Sequence, residues 1–139
     1  MISAVYLIKM PEGEDHKKLV KKIAEYAKSK RYEPSCGEAL GLEKCLETDK
    51  KHVPDMKAWN KDEEVTMYGE AKTADDIEND HTRAQIQDFS NRHMTKNKKP
   101  VPFVLGVPHG SKAEAEKVVK SMTLSDQQKK NIDIQEFKI

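Results

Sequence analysis

Pro54-Asp55-Met56-Lys57-Ala58-Trp59-Asn60-Lys61-Asp62-Glu63-Glu64-Val65-Thr66-Met67-Tyr68-Gly69-Glu70-Ala71-Lys72 is the stretch whose reading decides the fold. Val65, Met67, Gly69 and Ala71 alternate with Thr66, Tyr68, Glu70 and Lys72, which is the period of a strand. Residues 53–59 read as a second strand, and Asn60 to Glu63 supply turn chemistry between the two. With a four-residue loop, Trp59 pairs with Glu64 and Asp55 lies opposite Tyr68. Side chains two apart on a strand share a face, so Glu70 and Lys72 point the same way. Asp55 and Glu70 are then diagonal neighbours, roughly 7–8 Å apart. Two carboxylates so placed can converge on one hard cation, with the Ala71 carbonyl as a further oxygen ligand. Lys72 would stand beside that cation as a fixed positive charge, able to orient an attacking water or offset charge on a phosphate. A loop of three residues would flip the register and separate these groups.

Outward from this hairpin, the chain alternates strands and helices. Ile2 to Lys9 is apolar on both faces and reads as a short buried strand, ended by Pro11 and Gly13. Leu19, Val20, Ile23, Ala24 and Ala27 have helical spacing, which predicts a helix over 15–30. Residues 31–52 fit a strand, or a short helix with an irregular loop, equally well. Residues 80–94 predict a second helix, with Asp80 and Thr82 as capping residues. Val101 to Val107 reads as a buried strand with proline near its start. Ser111 and Glu114 form a capping-box pattern before a third helix through Met122, and Ile132, Ile134 and Phe137 suggest a terminal strand. The order β-α-(β)-β-β-α-β-α-β predicts one mixed α/β domain over residues 1–139.

Composition narrows the classes. The chain has 139 residues, 36% hydrophobic and 35% charged, which is charge-rich yet within reach of a globular domain. No apolar run approaches the roughly 20 residues of a membrane span, and the opening segment lacks the basic leader of a signal peptide. Cys36 and Cys45 are too few for a disulfide framework, so a soluble cytoplasmic protein is expected. A zinc site from Cys36, Cys45 and His52 has irregular ligand spacing, and Cys36 lacks an assignable base for nucleophilic work. A lone tryptophan, Trp59, is expected in the core. Net charge is +1, but residues 51–80 hold 4 basic and 9 acidic side chains, whereas residues 81–100 hold 5 and 1.

Pro54-Asp55 followed by Glu70-Ala71-Lys72 resembles the signature of the PD-(D/E)xK nuclease superfamily. Five acid-x-Lys triplets occur in the chain, and this one alone sits in a strand after Pro-Asp and before a helix bearing glutamines. The resemblance implies a restriction-endonuclease-like mixed central sheet flanked by helices. It implies a nuclease that hydrolyses phosphodiester bonds of DNA with Mg²⁺, or Mn²⁺ in its place, and leaves a 5′-phosphate. Asp55, Glu70 and the Ala71 carbonyl would hold the metal, and Lys72 would place the water. Family members often carry a glutamine on the following helix; Gln85 is preferred over Gln87 here, and Glu25 is the match for a supporting glutamate on the first helix. Arg83, Arg92, Lys96, Lys98 and Lys99 follow the site and could neutralise backbone phosphates. A homodimer would let such an enzyme cut both strands. The alternatives are a non-catalytic nucleic-acid or protein binding module on the same fold, and cleavage of RNA in place of DNA.

Overall fold

A computed structural model describes the backbone of residues 2–139 and the side chains from Gly13 onward. Helix α1 spans Ile2–Ser29 and is followed by strand β1, Glu33–Cys36. A long excursion then leads to β2, Met56–Asn60, and β3, Val65–Ala71. Helix α2 covers Asp80–Phe89, β4 Phe103–Pro108, α3 Lys112–Ser121, α4 Asp126–Asn131 and β5 Ile132–Phe137. The strands form one sheet in the order β1-β2-β3-β4-β5. β1, β2 and β3 are antiparallel neighbours, while β3–β4 and β4–β5 are parallel. The chain is thus a mixed α/β domain with a five-stranded mixed sheet. Parallel pairs need crossovers, and α2 and the α3–α4 pair supply them.

The expected strand over residues 2–9 is corrected: that backbone is the first part of α1, which runs through Pro11 and Gly13. A short run apolar on all sides carries no period, so it reads equally as strand or helix. The illegible segment 31–52 contains β1 and a 3₁₀ turn at Glu38–Leu40. β1 is short and half exposed, and a bulge between Pro34 and Cys36 breaks what alternation it has. Ser111 makes no side-chain cap on α3. Glu136 of β5 takes that role, accepting from the Gly110 and Lys112 amides at 3.2 and 3.4 Å. Asn79, not Asp80, caps α2, accepting from the Thr82 amide. A capping box does form at Ser125 and Gln128, opening α4, which the sequence reading did not anticipate.

Two apolar layers hold the sheet. On one face Leu19, Val20, Ile23, Ala24 and Ala27 of α1 pack against Met56, Ala58, Met67, Ala71 and Val104. On the other, Ile77, Ile86 and Phe89 join Phe103, Leu105, Val107, Ala115 and Val118. α1 lies very close to the sheet, and two glycines make room for it. A Cβ on Gly69 would stand 2.8 Å from Ile23 Cγ2, and one on Gly106 would stand 2.6 Å from Ile23 Cδ1.

Cys36 and Cys45 are joined in a disulfide, nine residues apart, so neither is a zinc ligand or a nucleophile. The ring is also braced by its own backbone, Gly37 N–H donating to Glu43 O at 2.7 Å and Leu42 N–H to Gly37 O at 3.2 Å. Closing a ring of this size contributes about 2–3 kcal/mol by the chain-entropy argument. Reduction is therefore expected to lower the unfolding free energy by that amount, read from the shift of the urea midpoint with and without dithiothreitol. An unmoved midpoint would show that the backbone bonds alone hold the ring.

Candidate active site

The β2–β3 turn sets the geometry. Asn60 pairs with Val65, and the four-residue loop is Lys61 to Glu64, one position later than the spacing predicts. The reason is local: Asn60 Oδ1 accepts from the Asp62 and Glu63 amides, both at 2.9 Å, so Asn60 ends the strand and organises the turn. Both loops hold four residues, so the face of every side chain is kept while each partner moves by two. Lys57, not Asp55, lies opposite Tyr68, and Met56 pairs with Gly69. Asp55 thus comes level with Glu70, closer than the expected diagonal. The two residues interlock: the Asp55 amide donates to Glu70 Oε1 at 3.1 Å, and the Ala71 amide donates to Asp55 Oδ2 at 2.8 Å.

Three further groups close on this pair from both sides of the sheet. Gln85 Nε2, from α2, donates to Glu70 Oε2 at 3.0 Å. Lys72 Nζ lies 3.6 Å from the same oxygen. Lys72 itself is fixed because its amide donates to Gly106 O of β4 at 2.9 Å. From α1, His16 Nε2 lies 3.0 Å from Asp55 Oδ2. Asp55, Glu70, Ala71, Lys72 and Gln85 are therefore brought together, whereas Gln87 is exposed. Glu25 is exposed too, off the buried stripe of α1. His16 was missed by the sequence reading, although it was detectable there. It stands three and seven residues before Leu19 and Ile23, on the same helical stripe, at the end of the helix face that meets the sheet.

Burial and neighbouring charge set the electrostatics of the pair. Burial pushes the Glu70 carboxyl well above its ordinary range, and the neighbouring Asp55 charge pushes the same way against the pull of Lys72. The His16 imidazole is raised, chiefly by its hydrogen bond to Asp55, against the opposing effect of burial. Both bonds to the Asp55 carboxylate fall on Oδ2, which leaves the lone pairs of Oδ1 for another partner among the described residues. Gln85 Oε1 is buried with no hydrogen-bond partner among the described residues. A buried amide oxygen left unpaired costs about 1–3 kcal/mol, so it marks a place for a donor such as a water. Among the described residues no three His, Cys, Asp or Glu side chains form a ready metal cage. Two carboxylates with waters completing the shell is how Mg²⁺ is usually bound, since it dehydrates reluctantly.

Compared with models of protein families, with curated proteins and with solved structures, the chain matches none. Its site must be read from its own geometry.

The basic stretch that follows the site is mostly engaged in ion pairs. Arg83 pairs with Glu78 at 3.0 Å, Lys99 with Glu63 at 3.3 Å and Lys96 with Glu64 at 3.9 Å. Arg92 bridges Asp88 and Asp49. Lys98 lies at a turn with φ of 63°. Asp88, almost wholly buried, also accepts from Thr48 Oγ1 and lies 2.8 Å from His52 Nδ1. It thereby ties the excursion between β1 and β2 to α2. Trp59 is corrected from the core to the surface, at 39% exposure, because its face of β2 is left uncovered by α2. No helix among the described residues is long and apolar enough to cross a membrane.

Proposed function

We propose that this domain is a Mg²⁺-dependent nuclease acting on DNA, built on a restriction-endonuclease-like core. The observation that supports this most is the convergence of Asp55, Glu70, Lys72 and Gln85 at one end of the sheet, with Gln85 Oε1 buried and unpaired. Asp55 Oδ1, Glu70 and the Ala71 carbonyl would hold the metal, with Mn²⁺ able to replace Mg²⁺. When bound, the ion would polarise the phosphoryl oxygen and make a water a better nucleophile at neutral pH. The chain's own groups do the rest. The Ala71 amide and His16 hold Asp55 in one orientation. Gln85 does the same for Glu70, with its carbonyl oxygen free to accept from a water. Lys72 offers an ammonium to steer that water in line with the scissile bond and to offset charge on the phosphate. The product would carry a 5′-phosphate.

The cytoplasmic setting suggested by composition belongs to the same proposal. In a reducing cytosol Cys36 and Cys45 would be thiols, whereas their disulfide persists in oxidising compartments.

The test is incubation of the protein with labelled duplex, branched and single-stranded DNA, and with RNA, with and without Mg²⁺. Cleavage that needs the metal and falls at least a hundredfold in Lys72→Ala is the expected result. Binding of nucleic acid without cleavage of any substrate would leave the binding-module alternative in its place.

A further inference from the structure

A groove of about 520 Å³ opens on Asp55 and His16. One wall is α1, which contributes Lys17; the other is the disulfide ring, which contributes Lys44 and Cys45. Such a volume is ample for a phosphodiester unit. The ring touches the catalytic strand directly, since a Cβ on Gly37 would stand 2.9 Å from the Asp55 carbonyl. The ring closed by the Cys36–Cys45 bond thus packs against the backbone that carries the Asp55 carboxylate. No ion pair among the described residues engages Lys44. Lys17 has only an exposed contact with Glu14 at 3.8 Å, which is worth little in water. Among the described residues the lining sets Lys17 and Lys44 beside Glu38 and Asp55, and the Asp55 charge faces His16.

We infer that this groove, between α1 and the disulfide ring, is the track for the DNA strand carrying the scissile phosphate, with Lys17 and Lys44 contacting phosphates on its two walls. The inference rests on the nuclease reading for the position of the scissile bond. A wall braced by its own backbone, Gly37 N–H on Glu43 O and Leu42 N–H on Gly37 O, loses little freedom on binding, which favours affinity.

The test is a fluorescence-anisotropy titration of labelled duplex DNA in EDTA, over a range of salt. Lys17→Glu and Lys44→Glu are each expected to weaken binding about tenfold and to flatten the salt dependence by about one phosphate contact. Lys44→Arg should bind as the parent does. Lys28→Glu, an exposed change of equal charge about 16 Å farther along α1, should have less than a twofold effect. Parental affinity and salt slope in both groove variants would overturn the inference. So would an equal loss in Lys28→Glu, which would show net charge alone at work, or no binding by the parent. The two readings fail separately. A parent that never cleaves but loses binding at Lys44 keeps the groove and loses the nuclease; a Mg²⁺-dependent nuclease indifferent to both lysines does the reverse.

Discussion

Glu70→Gln is expected to abolish Mg²⁺-dependent cleavage, by about a thousandfold or more, while making the protein more stable at neutral pH. The loss follows from removing one of two anionic metal ligands, whose Lewis-acid contribution is worth several kcal/mol in the transition state. The gain follows from burial. Glu70 is raised well above the ordinary glutamate range, mainly because its charged form is desolvated. An acid whose pKa rises on folding stabilises the fold below its unfolded value and gives that stability up as the pH climbs through its folded value. The parent should therefore fall behind Glu70→Gln progressively above about pH 4.5. A neutral amide of the same shape carries no such charge and can still accept from the Asp55 amide. Thermal melts of parent and variant across pH, with and without Mg²⁺, read both effects. Added Mg²⁺ should raise the parent's melting temperature and leave the variant's unchanged. A variant less stable than the parent at every pH would mean that Glu70 is a structural carboxylate satisfied by Lys72, and the site would lose its reason to bind a cation.

Asp88→Ala should cost about 3–5 kcal/mol, as expected when one partner of a buried ionic network is removed. Its carboxylate is 2% exposed and takes Thr48, His52 and Arg92 together. Without it, Arg92 and His52 lose their buried counter-charge and the excursion of residues 37–55 comes away from α2. Against a typical total of about 5–15 kcal/mol, such a loss threatens the whole fold. Urea denaturation gives the number, and limited proteolysis shows whether the excursion opens first. Asp88→Asn, which keeps an acceptor, should lose clearly less than the alanine variant. A deficit under about 1 kcal/mol for Asp88→Ala would show that the disulfide suffices to hold this segment.

The hairpin was legible because its information is local. A strict alternation over residues 65–71 fixes which side chains share a face, and that parity survived even though the turn was placed one residue early. The stripe on α1 was legible for the same reason. Segments 2–9 and 31–52 were not, since an apolar run without a period and an irregular excursion carry no periodic signal. Cys36 and Cys45 illustrate a different gap. Their pairing depends on how the bulged end of β1 and the excursion return to each other, which no spacing of nine specifies.

By itself the sequence determined that Glu70 and Lys72 share a face with Asp55, and that a helix bearing Gln85 follows, because strand and helix periods are properties of consecutive residues. The tertiary structure alone decided that Asp55 stands level with Glu70, that His16 reaches across from α1, and that the disulfide ring walls the groove. Those are contacts between residues 9 to 39 positions apart in the chain, set by the side chain that stops a strand, by the glycines that admit a helix and by the closure of a loop.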